Sequence, residues 1–306
     1  MKIRLPALTG VMLALVTTLV ASQPAFAAPE PIVFANHGNL FVIGPSGSGL
    51  TKLTNTGRQE GTPAWSPDHD RIAFSVGSQV WVMDSDGSHT HMIARLAKGL
   101  TVDALAWSPG GKRLAVEAEH RVGGGQIPRL CSSVWTVRAT GAALTRIHAG
   151  EEPGNGITWS PNGRWLAAGF EFLNMTRPCS STAHGGLFRM HPNGSGFQSL
   201  HAPLGRSPDW SPAGGLIAFD DWRNTCHACG QLWVMRPNGT HQHKILGTGF
   251  GATFFHPRWS PNGGRITYVH TTSSGAVGLW VMNRSGGQRH RIFNDKTLTS
   301  FIVQDW

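Results

Sequence analysis

Charge is scarce in this chain. Asp, Glu, Lys and Arg make up 14% of its 306 residues, and there are only one tyrosine and four cysteines. With 40% apolar residues, this excludes an open chain kept disordered by its own charge. After the first 27 residues no apolar run approaches the length of a membrane span. Stretches with apolar residues at helical spacing are missing too. So are the catalytic signatures that spacing alone reveals. There is no His-Glu-x-x-His and no Gly-x-Ser-x-Gly elbow. Gly44-Pro45-Ser46-Gly47-Ser48-Gly49 looks like the start of a phosphate loop, but Leu50 stands where lysine is needed, and a strand follows instead of a helix. Cys226-His227-Ala228-Cys229-Gly230 lacks the histidine after the second cysteine that haem attachment requires.

The first residues read as a secretory signal peptide, 1–27. Lys2 and Arg4 precede a largely apolar stretch, and Ala25-Phe26-Ala27 has the small-x-small form of a cleavage site. The mature chain, 28–306, is then secreted or periplasmic. Its formal charge drops from +9 to +7 when Lys2 and Arg4 leave. The basic residues are scattered with no dense run, which argues against nucleic acid as a partner.

Glycine (39), proline (19) and tryptophan (12) are plentiful, a turn-rich and strand-rich composition. Trp-Ser-Pro recurs at Trp65, Trp107, Trp159, Trp210 and Trp259, and the chain ends on Trp306. Asp305 precedes Trp306 as Asp209 precedes Trp210. A period of this length marks a repeat architecture. Each unit reads as four short strands: one ending in Trp-Ser-Pro, one like Arg71-Ile72-Ala73-Phe74, one like Val80-Trp81-Val82-Met83, and a weaker fourth after a Gly turn. The N-terminal unit has every strand but the first, and residues 302–306 supply that one. Shared between the two ends, it completes a sixth unit and leaves no open sheet edge. The expected fold is all-β: a six-bladed β-propeller of four-stranded antiparallel blades, its ring closed by 302–306.

These motifs resemble the TolB-like propeller repeat, which runs Trp-Ser-Pro-Asp-Gly, Ile-Ala-Phe, Leu-Trp-Val-Met and a closing Asp-Gly turn. The resemblance covers nearly all of 28–306. The Asp-Gly position varies here as Asp68-His69, Gly110-Gly111, Asn162-Gly163, Ala213-Gly214 and Asn262-Gly263, all compatible with a turn. TolB itself carries an additional domain before its propeller, whereas here the first strand follows the cleavage site closely. The resemblance implies a role in interaction within the cell envelope.

Strand counting puts the long loops 117–132, 170–186 and 220–230 on one face and short Gly turns on the other. Long loops on a rigid scaffold are where function usually sits. They hold all four cysteines, Cys131, Cys179, Cys226 and Cys229, read as disulfides in an exported chain. Three pairings are open, with Cys131–Cys179 and Cys226–Cys229 preferred; a zinc site is the rival reading. The binding candidates on this face are Phe172, Asp221, Trp222, Arg223, Phe254 and His256. The expectation is a monomeric, non-catalytic module without cofactor or metal that binds a protein, a peptide or an envelope polymer. The alternative is a secreted polysaccharide lyase or hydrolase using histidines such as His120, His148, His256 and His270 with Glu119, Glu171, Asp220 and Asp221.

Overall fold

The structure is a computed structural model, and it describes residues 30–122, 129–171, 186–202, 204–221, 230–247, 252–295 and 304–306. Its elements are strands. Blade 1 holds β1 (Ile32–Asn36), β2 (Asn39–Ile43) and β3 (Thr51–Lys52). Blade 2 holds β4 (Glu60–Trp65), β5 (Arg71–Val76), β6 (Gln79–Asp84) and β7 (His91–Arg95). Blade 3 runs β8 (Leu100–Trp107), β9 (Arg113–Val122), β10 (Arg129–Arg138) and the first half of β11 (Thr145–Trp159). Blade 4 takes the second half of β11, then β12 (Leu166–Glu171), β13 (Gly186–Met190) and β14 (Gln198–Ser199). Blade 5 is β15 (Gly205–Trp210), β16 (Ile217–Asp221), β17 (Gln231–Met235) and β18 (His243–Leu246). Blade 6 is β19 (Ala252–Trp259), β20 (Arg265–Thr272), β21 (Val277–Asn283) and β22 (His290–Asp295). The last strand, β23 (Gln304–Asp305), returns to blade 1, where Val33 faces Asp305 and Phe34 faces Gln304. Every blade is antiparallel and four-stranded. Blades 3 and 4 are fused, because β11 pairs with β10 through Thr145–Glu151 and with β12 through Glu152–Trp159.

The repeated tripeptide builds the same turn five times. In blade 2 the Ser66 N–H donates to Arg71 O and the Arg71 N–H donates back to Ser66 Oγ, both at 2.9 Å. Ser108, Ser160, Ser211 and Ser260 accept equivalently from Arg113, Trp165, Leu216 and Arg265. A short hydroxyl that reaches its own turn explains why serine recurs. The fourth turn residue is left-handed, glycine in four copies and His69 (φ 58°) in one. His69 offsets that strain by stacking on Trp65 at 5.1 Å.

A second repeated device holds the blades against each other. The glycine of each third-to-fourth turn sits on the backbone of the preceding blade's outer strand. A Cβ at Gly87 would meet Leu53 O at 2.9 Å, and one at Gly194 or Gly286 would overlap Ile147 O or Ile245 O. The contact also runs across the junction of the ends: Gly47 of blade 1 lies on Ile292 of blade 6. There, too, the Trp306 indole donates to Glu30 O at 3.0 Å. Apolar clusters bury the Trp-Ser-Pro tryptophans between blades, with Trp65, Trp107, Trp159, Trp210, Trp259 and Trp306 each at most 8% exposed. First strands of adjacent blades touch (β4 with β8, β11 with β15, β15 with β19), whereas β3 and β14 are fully exposed. First strands therefore ring the axis, and the residue before each tryptophan is carried to the centre.

Candidate functional site at the channel axis

The residue before each tryptophan is Ala64, Ala106, Thr158, Asp209, Arg258 and Asp305, taken blade by blade around the ring. Where it is alanine, the next blade's indole N–H seals the junction. Trp107 Nε1 donates to Ala64 O and Trp159 Nε1 to Ala106 O, both at 3.1 Å. Where it carries an acceptor, that acceptor takes the next tryptophan's backbone N–H instead. Trp210 N–H donates to Thr158 Oγ1 (3.3 Å), Trp259 N–H to Asp209 Oδ2 (2.6 Å) and Trp65 N–H to Asp305 Oδ2 (2.8 Å). The indoles of Trp65 and Trp259, which follow the two aspartates, have buried Nε1 atoms with no partner among the described residues.

Arg258 stands between the two aspartates in ring order. Its Nε lies 4.0 Å from Asp305 Oδ1, and the Thr158 hydroxyl donates to Asp209 Oδ1 at 3.3 Å. Two carboxylates with one guanidinium leave the centre one negative charge in excess when all are ionised. Burial raises the Asp209 pKa from 3.8 to about 7, opposed by Arg258 and the Trp259 N–H. Burial raises Asp305 as well, again opposed by Arg258. Two cavities meet here. One of about 140 Å³ is lined by Thr158, Trp159, Asp209, Arg258 and Asp305. The other, about 310 Å³, opens on the Trp-Ser-Pro face and is walled by Trp65, Trp210, Trp259, Trp306 and three turn prolines, with Asp209 and Asp305 at its floor.

Of the residues singled out in the sequence, Phe172, Trp222, Arg223, Cys179, Cys226 and Cys229 lie outside the described residues, as does 1–27. Asp221 and Phe254 are buried, not exposed on the loop face. Phe254 belongs to the core between blades 5 and 6 and stacks on His270 at 4.6 Å. His256 is buried beside the axis with φ 53°; its N–H donates to Asp220 Oδ1 at 3.2 Å and its carbonyl accepts from Gln304. The same junction recurs between blades 3 and 4, where the Gly156 N–H donates to buried Glu117 at 2.9 Å. Burial lowers the His256 pKa to about 3, with Arg258 and Arg206 pushing the same way. His148 stacks on Phe197 at 4.4 Å. Among the described residues no three His, Cys, Asp or Glu side chains gather as a metal site. Cys131 is buried in β10, and no described cysteine is free.

No family model matches the chain, and no curated protein does. Solved structures do. A TolB of Agrobacterium tumefaciens superposes with a TM-score of 0.66 at 18% identity, over 86% of this chain and 88% of that one. TolB from Acinetobacter baumannii gives 0.68 at 16% identity, over 90% of this chain and 66% of that longer one. An oligogalacturonate lyase in complex with manganese gives 0.59 at 13% identity, over 86% and 73%. Likeness at these identities concerns the fold, and in fold this chain is a TolB-like six-bladed β-propeller.

Proposed function

We propose that the protein is an exported, non-catalytic binding module that accepts a cationic group of a partner protein or peptide at the axial mouth of its propeller. One observation carries the reading: two carboxylates, Asp209 and Asp305, line a tryptophan-walled cavity, and the arginine beside them, Arg258, lines the smaller cavity that meets it. A lysine or arginine side chain entering there would meet aromatic walls and the surplus negative charge together. Export, cleavage of 1–27 and a brace on the loop face by Cys131–Cys179 and Cys226–Cys229 belong to the same reading. Phe172, Trp222 and Arg223, expected from strand counting on the long-loop face, are further proposed contacts.

Selection of binders from a random peptide library tests it. Enriched peptides should share a basic residue at one position and lose at least tenfold in affinity against Asp305→Asn. Enrichment without a basic residue, or affinity untouched by that change, would remove the axial site. A second reading, a polysaccharide-cleaving enzyme, draws on Asp103 and Glu119. Burial and the neighbouring Glu119 raise the Asp103 pKa to about 7, as suits a general acid. Release of sugar fragments by the wild type and none by Asp103→Asn would favour it.

A further inference from the structure

Away from the axis, on the Trp-Ser-Pro face, blades 3 and 4 form a groove. One cavity of about 510 Å³ is lined by Lys112, Arg113, Trp159, Pro161 and Asn162. Another of about 270 Å³ is lined by Arg138, Arg146, Thr145 and Asn193. Arg113 and Pro192 line both, so the two are continuous. Among the described residues neither has an aspartate or glutamate in its lining. All four basic side chains are exposed.

The strand register makes this arrangement costly. Arg113 of β9 lies directly across from Arg138 of β10. Like charges facing each other across antiparallel strands are destabilising. Among the described residues no carboxylate in the groove relieves them. On the next strand of the same blade, Arg146 faces Trp135 in the register and lies over its ring at 5.9 Å, and it lines the same cavity as Arg113 and Arg138. Three guanidinium groups lining one cavity with no described carboxylate among them call for an anion.

The remaining polar lining narrows the class of anion. Asn162 Oδ1 is occupied by Ser160 Oγ and the Arg164 N–H, and Asn193 Oδ1 by the Ser195 N–H and hydroxyl. Their amide nitrogens are left to donate. The groove's charged and amide side chains, Lys112, Arg113, Arg138, Arg146, Asn162 and Asn193, thus all offer donors. A peptide would bring a backbone N–H at nearly every residue, and the side-chain acceptors left in the lining are limited to the hydroxyls of Ser108, Thr136 and Thr145. A polysaccharide presents hydroxyl, ring and acid oxygens, each able to accept. We infer that this groove binds an acidic polysaccharide, with Arg113 and Arg138 gripping one acid group from both sides as arginine forks do. The acid group is a carboxylate or a phosphate, which this donor set serves equally.

Affinity electrophoresis of the intact protein in native gels tests the inference, with polygalacturonate, a phosphomannan or poly-L-glutamate cast into the gel. Retardation by at least one of the two glycans is expected at about 0.15 M salt, and whichever glycan acts identifies the acid group. The exposed double change Lys112→Glu with Arg113→Glu should weaken that retardation at least tenfold, while Lys244→Glu on blade 5 leaves it intact. Circular dichroism verifies that each variant is folded; Lys112→Gln with Arg113→Gln serves if the double charge reversal does not fold. No retardation by either glycan would overturn the inference. So would equal retardation by poly-L-glutamate, which would make the groove a site for acidic peptides, or equal loss in the Lys244 variant.

Discussion

Asp209→Asn should change how stability varies with pH. The unfolded chain releases this proton near its ordinary value of 3.8, and the folded chain keeps it to about 7. Between those limits the folded state holds more protons than the unfolded one, so stability falls as pH rises and the loss is complete above about 7. The full displacement corresponds to about 4 kcal/mol. Asp209 is partly open to channel water, which screens it, so about 2 kcal/mol is the working figure. His256 acts in the opposite sense. Its folded value of about 3 lies below the ordinary 6.5, so its contribution is lost as pH falls from 6.5. The two slopes oppose each other below about 6.5, which masks both in the wild type. Asparagine keeps the shape of Asp209 and can still accept the Trp259 N–H. Urea unfolding of both proteins at about pH 4.5 and pH 8 isolates the carboxylate. The variant should gain about 2 kcal/mol relative to wild type at the higher pH. Parallel pH profiles would refute the reasoning and mean that the axis is as wet as bulk solvent.

Three further changes probe the frame. Removing residues 304–306 takes away the strand facing Val33 and Phe34 together with the buried Trp306; a loss of about 3–5 kcal/mol in urea unfolding is expected, and an unchanged midpoint would count against closure through β23. Gly286→Ala places a methyl group against Ile245 O at φ 85°, and should cost about 2 kcal/mol, whereas Gly77→Ala, in open space at φ 58°, should cost about 1 kcal/mol from backbone strain alone. Cys131→Ser should lower stability by about 2–4 kcal/mol under oxidising conditions and have little effect in reductant, and equal effects in both would argue against a disulfide at Cys131.

Most of the fold was legible because it repeats. Trp-Ser-Pro, the Ile-Ala-Phe strand and the closing Gly turn recur in order, and repetition turns weak local signals into a blade count. The fused β11 was not visible, since Pro153 and Gly154 look like a break and instead form a bulge within one strand. The axial site was half visible. Asp209 and Asp305 stood out as a shared step before tryptophan, but their meeting at the centre with Arg258 depends on ring geometry. His256 and Phe254 were placed on the loop face by counting along strands, which does not say how deep a side chain lies. The basic groove escaped for a related reason. Lys112, Arg113, Arg138 and Arg146 are spread along the chain, and only the pairing of β9, β10 and β11 gathers them.

The most direct test of the axial binding reading is the pH dependence of affinity for a selected lysine-bearing peptide. A cation can use both carboxylates only after Asp209 gives up its proton near pH 7. Titration calorimetry at about pH 6 and pH 8 should show roughly tenfold tighter binding at the higher pH, and Asp209→Asn should abolish the difference. Affinity that is flat or falls as pH rises would contradict the account.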